Sequence, residues 1–262
     1  MIPHVKSLGL VEYLPTWDAM KRFTKERTSE TRDEIWLVQH PPVYTQGLAG
    51  KPEHLLHSTN IPVVKIDRGG QITYHGPGQI VAYLLLDMRR WKINVRELVR
   101  LMEQAVIDLL GEYGVAAQGR NDAPGVYVSV NTEKASRAVG VQGARSTATE
   151  TYLTDRRGSE HRATQQSERT AGLSGLTEDA KIAALGLKIK NGCCYHGLAF
   201  NVDMDLTPFA NINPCGHAGL RVTQVCELGI TVPINELQAE LAQNLIHGLQ
   251  RHFESKQHPI LK

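Results

Sequence analysis

The run Gln79–Leu86 (QIVAYLLL) constrains the fold more than any other part of the chain, being apolar almost throughout. It lacks the strict alternation of a half-exposed strand, and so suits a strand buried on both faces. Other elements read from local pattern. Thr16 is placed to cap a helix over Trp17–Lys25, whose Trp17, Met20 and Phe23 share one face. Glu34–Gln39 is a short apolar strand ended by His40-Pro41-Pro42, and Ile61–Ile66 reads as another strand. Asn94 caps a long helix from Val95 to about Glu112, with Leu98, Met102, Ala105 and Leu109 at helical spacing and Gly114 placed to end it. A last helix follows Asn235, with Leu237, Leu241, Leu245 and Leu249 at every fourth residue. Strands interleaved with helices predict an α/β or α+β fold.

Composition sets bounds. With 262 residues, one large domain or two small ones would fit. The charge balance, 29 Lys+Arg against 27 Asp+Glu, does not suggest a protein that coats nucleic-acid phosphates. No apolar run approaches the roughly 20 residues needed to cross a bilayer. The first twelve residues do not read as a secretory signal. The 4 cysteines make no disulfide framework, so a reducing cytoplasm is expected. Residues 131–180 differ from the rest. They are rich in Thr, Ser, Arg, Glu, Ala and Gly and hold no sustained period, as expected of an inserted, largely disordered loop in a single domain spanning 1–262.

Two clusters carry unusual residues. RGGQITYHGPGQ (68–79) holds four glycines and a proline, which bring backbone close to something and demand special dihedrals. Flanked by two strand candidates, it fits a β-hairpin turn, although Arg68, Gln71, Thr73, Tyr74 and His75 load that turn with polar groups. It matches neither a P-loop nor a dinucleotide fingerprint. In NINPCGHAG (211–219), Pro214 and Gly216 bracket Cys215 on a turn with little bulk beside the thiol, the exposure a nucleophile needs. Most free cysteines are inert and buried, a description that fits Cys226 in VTQVCEL better than Cys215. His196, in a probable strand within Asn191–Asn201, and Lys181, opening KIAALGLKIK, are candidate partners. Each residue type at such a place is more often structural or solvated. Cys194-x-His196 and Cys215-x-His217 pair zinc-ligand types, but structural zinc spacings leave two to four residues between the first ligands.

Taken together, DEIWLVQHPPVYTQG (33–47), RGGQITYHGPGQ (68–79), NDAPGVYV (121–128), KIAALGLKIKNGCCYHGLAFNVDMDL (181–206) and NPCGHAG (213–219) resemble the lipoyl(octanoyl) transferases. The resemblance covers most of the chain apart from the insert. It implies a biotin/lipoate ligase-like domain, a mixed β-sheet flanked by helices, that moves an octanoyl group from acyl carrier protein to a lysine of a lipoyl domain without ATP, metal or other cofactor. The acceptors it implies are lipoyl domains of 2-oxoacid dehydrogenase complexes and the glycine cleavage H protein, with neither nucleic acid nor membrane as partner. By motif, Cys215 is the nucleophile that takes the acyl group as a thioester, and Lys181 is its partner. An ammonium beside a thiol favours the thiolate. Three segments would line the acyl pocket: Arg68, Gly69, Gly70, Gln71, Ile72, Thr73, Tyr74 and His75; Ala184, Leu185 and Gly186; and Gly197, Leu198 and Ala199. His75 and Tyr74 would flank the reacting centre.

The chain departs from the family in two places. Ala183-Ala184 stands where a Ser is common, and the insert parts Tyr127-Val128 from Lys181. TEKASRAVG (132–140) faintly resembles TEDAKIAALG (177–186), which makes Lys134 a rival lysine; the unbroken run into GLKIKNG favours Lys181. Three other readings compete: an ATP-dependent lipoate or biotin ligase, a non-catalytic lipoyl-domain-binding protein, and a zinc protein. Both expected protein partners are usually acidic, so a basic patch would steer them, with Arg89, Arg90 and Lys92 as candidates.

Overall fold

The computed structural model describes residues 2–131 and 177–257. The chain divides into two compact units, Met1–Val128 with Asp179–Lys262, and Ser129–Glu178. Of the second, only the ends of two strands are described. Most of the expected insert, Lys134 included, lies outside the described residues. Its last part is not a loop, because residues 177–180 already belong to a strand.

The first unit is built on strand β6 (Gln79–Asp87), every residue of which is buried. Around it the larger sheet runs in the order β1 (His4–Leu10), β2 (Glu34–Gln39), β6, β10 (Cys193–Asn201), β9 (Thr177–Lys190), β8 (Gly125–Asn131) and β7 (Ala117–Gly119). Pairing is mixed. β1 lies parallel to β2, whereas β2–β6, β6–β10 and β10–β9 are antiparallel. Helix α1 (Tyr13–Glu26) packs on one face, where Met20 meets Trp36, Val38, Val81, Tyr83, Leu85, Tyr195 and Ala199. The intervening residues of β6 point the other way and are equally buried. Helices α2 (Val95–Glu112) and α3 (Ile234–Gln257) pack on each other, α2 reaching β10 and α3 reaching β2 and β6. This is the mixed sheet flanked by helices that the family resemblance implies, and it agrees with the α/β or α+β pattern read from the residues.

Local expectations hold in part. Asn94 caps α2 through a capping box: its Oδ1 accepts from Glu97 N–H at 2.9 Å, and its own N–H donates to Glu97 Oε2 at 2.9 Å. Thr16 does not cap α1. The helix starts at Tyr13, because Pro15 is tolerated in a first turn, and the Thr16 hydroxyl donates back to the Glu12 carbonyl at 2.7 Å. The Gly-rich segment is not a hairpin turn either. Its centre is strand β5 (Ile72–His75), which pairs with β3 (Val43–Gln46) in a separate three-stranded sheet. That sheet is completed by β4 (Val63–Lys65), shorter than the Ile61–Ile66 expected. Its own small core is Tyr44, Ile72, Tyr74, Met204 and Ile212.

Of the expected basic patch, Arg89 and Arg90 are paired locally, whereas Lys92 is exposed. Arg89 forks onto Asp87, with Nη2 2.9 Å from Oδ2. Arg90 reaches Asp33 at 3.3 Å and donates to the carbonyls of Thr31 and Ser29 at 3.0 and 2.7 Å. Asp33, 2% exposed, also accepts from Arg27, from Trp91 Nε1 at 2.7 Å and from the Asp87 N–H at 2.8 Å, joining α1, β2 and β6. Among the described residues, no helix is long and apolar enough to cross a membrane.

Candidate active site

Pro214–Gly216 forms a single 3-10 turn in which Cys215 has φ 57° and ψ 15°, a left-handed conformation rarely adopted by a side-chain-bearing residue. The surroundings enforce it. Pro214 fixes the entry, Gly216 continues at φ 80°, and the Gly216 N–H donates to the Asn213 carbonyl at 2.9 Å. The segment around Leu55 braces the approach: Asn213 N–H donates to His54 O and Leu56 N–H to Asn211 O, each at 2.8 Å. The thiol is thus held out from a tightly bonded turn.

Lys181 arrives from β9, is 3% exposed, and donates from Nζ to Cys215 Sγ at 3.0 Å and to the Pro124 carbonyl at 2.9 Å. Its ammonium lies 5.3 Å from the centroid of the Tyr127 ring. Its backbone is clamped from the far side, its N–H donating to Arg221 O at 2.8 Å and its carbonyl accepting from Thr223 N–H at 3.0 Å. Gly125 makes room for the side chain. A Cβ there would lie 2.3 Å from Lys181 Cε and 2.8 Å from the Ala183 carbonyl. Glu103, whose carboxyl burial raises, accepts the Gly125 N–H at 2.9 Å and adds a negative charge near Lys181.

Beside this pair opens a largely apolar cavity of about 350 Å³. Of the residues expected to line it, Arg68, Gly69, Gly70, Gln71, Ile72, Thr73 and His75 do so, as do Ala184, Leu185, Gly186, Gly197, Leu198 and Ala199. Tyr74 does not. Period-2 alternation turns it from Thr73 and His75 into the small core with Tyr44 and Met204, where burial pushes its phenol up to about 12. Gly186 and Gly197 face each other across β9 and β10. A Cβ at Gly197 would sit 2.0 Å from the Ala82 carbonyl, and one at Gly186 would sit 2.9 Å from Arg68 Cδ. Arg68 is 9% exposed and rests on neutral acceptors, the carbonyls of Gly69 and Thr45 at 2.9 and 2.8 Å and Thr45 Oγ1 at 3.0 Å. Burial lowers its pKa.

Sequence reasoning missed Tyr13 and Tyr83, which also line the cavity, and weighed His217 as a zinc-ligand type and His196 as that or a possible base, although both line the cavity too. His196 has φ 65°, is 2% exposed, and turns Nε2 to Asp67 Oδ1 at 3.1 Å. Burial lowers its pKa against the pull of Asp67. His75 donates through Nδ1 to Gln79 Oε1 at 2.7 Å, and Gln79 Nε2 donates on to Asn201 Oδ1 at 2.9 Å. His40 donates to the Val11 carbonyl and accepts from the Tyr83 hydroxyl, both at 2.7 Å. Burial brings His75 down to about 3 and His40 to about 4, so both are neutral imidazoles. Such partners lie 29 to 43 residues apart for His40, beyond any local pattern. The other thiols sit elsewhere. Burial raises Cys193, Cys194 to about 12 and Cys226 to about 11, all unfavourable to a thiolate. Among the described residues, no three His, Cys, Asp or Glu side chains gather as a metal site requires.

Residues 12–246 match the family model of the lipoyl protein ligase A/B catalytic domain. An octanoyltransferase of Nitrosomonas europaea is 54% identical over 245 residues, which is 94% of this chain and 96% of that protein. One from Chromobacterium violaceum is 50% identical over 251 residues, covering 96% of each. Among solved structures, lipoate-protein ligase A bound with ATP superposes with a TM-score of 0.59 at 14% identity, covering 97% of this chain and 86% of that one. A bi-partite lipoate protein ligase from Thermoplasma acidophilum gives 0.58 at 14% identity, covering 97% and 84%. At these identities the structures speak for the fold alone.

Proposed function

The chain belongs to the octanoyltransferases of the lipoyl protein ligase A/B catalytic family, enzymes of protein lipoylation, and from that premise we propose that it carries the octanoyl group on Cys215, taking it from acyl carrier protein and delivering it to a lysine of lipoyl domains. The observation that supports this route is the 3.0 Å hydrogen bond from Lys181 Nζ to Cys215 Sγ beside the 350 Å³ cavity.

The steps balance around that contact. Cys215 attacks the donor thioester as thiolate, with Lys181 as ammonium. As the tetrahedral intermediate collapses, the phosphopantetheine thiol leaves with a proton from Lys181, and the octanoyl group remains on Cys215 with Lys181 neutral. The amine of the acceptor lysine then attacks the acyl-enzyme. Lys181 takes the proton that this amine loses, and Cys215 departs as thiolate beside the restored ammonium. The apolar wall of Ile72, Val81, Leu185, Leu198 and Ala199 receives the acyl tail, each buried methylene contributing about 0.8 kcal/mol. Acceptors of this kind include lipoyl domains of 2-oxoacid dehydrogenase complexes and the glycine cleavage H protein. We read the catalytic unit as one domain interrupted by the insert, working in the cytoplasm, where a reducing milieu keeps the nucleophile a free thiol.

Intact-protein mass after mixing with octanoyl-acyl carrier protein tests the route. The expected result is a gain of one octanoyl group on the wild type, none on Cys215→Ala, and acylation slowed by at least about 100-fold in Lys181→Ala, the general acid–base range. An adduct of equal yield on Cys215→Ala would overturn it.

A further inference from the structure

A second, wider groove of about 810 Å³ lies where α1 meets the turn between β9 and β10. It gathers five cations, Lys21, Arg22, Lys25, Lys188 and Lys190, against two carboxylates, Glu26 and Asp67. On a chain whose formal net charge is only +2, this is a strong local excess. Lys21 is partly satisfied by Asp18 at 2.7 Å and by the Trp17 ring beneath it. Arg22, Lys25, Lys188 and Lys190 make no salt bridge among the described residues. Asp67 is turned inward: it accepts from Trp17 Nε1 at 3.0 Å, from His196 Nε2 at 3.1 Å and from the Tyr195 hydroxyl. Burial opposes its charge, but these hydrogen bonds outweigh burial and hold its carboxyl well below the usual range.

We propose that this groove docks the acidic carrier protein that brings the octanoyl thioester, an inference that rests on the function proposed above. Charge complementarity points to an acidic protein surface. Reach then separates donor from acceptor. The acceptor offers a lysine side chain, about 6 Å long by ordinary bond lengths, so its body must sit against Cys215. The donor offers a flexible phosphopantetheine arm, on the order of 20 Å extended by the same bond lengths, so its body sits at a distance. The groove lies at such a distance. Tyr13 of α1 lines the acyl cavity and Lys21–Glu26 line the groove, 8 to 13 residues further along, or about 12 to 20 Å at 1.5 Å per residue. On β9 the separation runs from Lys181, which holds Cys215, to Lys188 on the groove, seven residues further along the strand or about 23 Å at 3.3 Å per residue.

The test compares wild type with the charge reversals R22E/K25E and, separately, K188E/K190E, using the full chain. Three readouts are needed: KM for octanoyl-acyl carrier protein, KM for a lipoyl domain, and acylation by octanoyl-pantetheine, a donor without the protein. Each double variant is expected to raise the carrier KM at least tenfold at low salt and to flatten its salt dependence, with the other two readouts unchanged. A carrier KM within twofold of wild type in both variants would overturn the proposal. So would a rise confined to the lipoyl-domain KM, which would give the groove to the acceptor. Equal loss with octanoyl-pantetheine would likewise overturn it, marking damage to the site itself. Failure of the underlying reading looks different, because the wild type would then take no octanoyl group from either donor.

Discussion

Cys215 and Lys181 are each made useful by a residue that contributes no functional group. Gly216 lets the turn continue left-handed after the thiol, and Gly125 lets the lysine stem cross the backbone of β8. The second role gives a sharp prediction. In Gly125→Ala the new methyl would start 2.3 Å from Lys181 Cε, so either the strand or the ammonium must move. Displacement of a catalytic group by about 1 Å costs on the order of 100-fold. The kcat for octanoyl transfer is therefore expected to fall by at least tenfold, while thermal unfolding stays cooperative; a kcat within twofold of wild type would sink this role. At this scale the sequence was informative about identity and silent about direction. The motif marks 68–75 as a unit, but only the pleat of β5 shows that Tyr74 turns away while Thr73 and His75 face the cavity. Tyr13 and Tyr83 were invisible because each joins the cavity through the fold and not through a neighbour in the chain.

Elements were most legible where one local signal suffices. β6 is announced by its apolar run, and α2 by Asn94 and the regular stripe of Leu98, Met102, Ala105 and Leu109, all buried. Replacing Asn94 by Ala removes the acceptor for the Glu97 N–H and half of the capping box, and should cost about 1 kcal/mol. Urea unfolding reads this as a lower midpoint with an unchanged slope. A loss under about 0.3 kcal/mol would mean that packing against α3 alone fixes the start of α2. The small sheet was the least legible part. β3 and β5 are four residues each, and β5 lies inside a glycine-rich segment whose composition signals a turn. The start of β9 was hidden likewise, since Thr177–Ala180 is polar and small and gains its strand character from its partners.

For the molecule as a whole, the buried neutral histidines set the acid limit. An unfolded chain protonates His40 and His75 below their usual value of 6.5, whereas the folded chain resists down to about 4 and about 3. The unfolded state therefore binds more protons as pH falls, and stability is complete above about 6.5 and declines below it. Each histidine contributes a slope approaching about 1.4 kcal/mol per pH unit. Unfolding midpoints should stay level from pH 7.5 to about 6.5 and fall from there to 4.5, and His75→Gln should make the decline shallower. A flat profile would show that both rings are protonated in the native state. The cavity also draws on residues from Tyr13 to His217, brought together by pairings across most of the sequence. Cys215 comes after nearly all of them in chain order, and its brace, its lysine and its cavity wall are long-range contacts that form only with the tertiary structure. A polypeptide still emerging from the ribosome thus holds the parts of the proposed Cys215–Lys181 dyad without their arrangement, and acyl-transfer competence arrives late in folding rather than growing with the length synthesised.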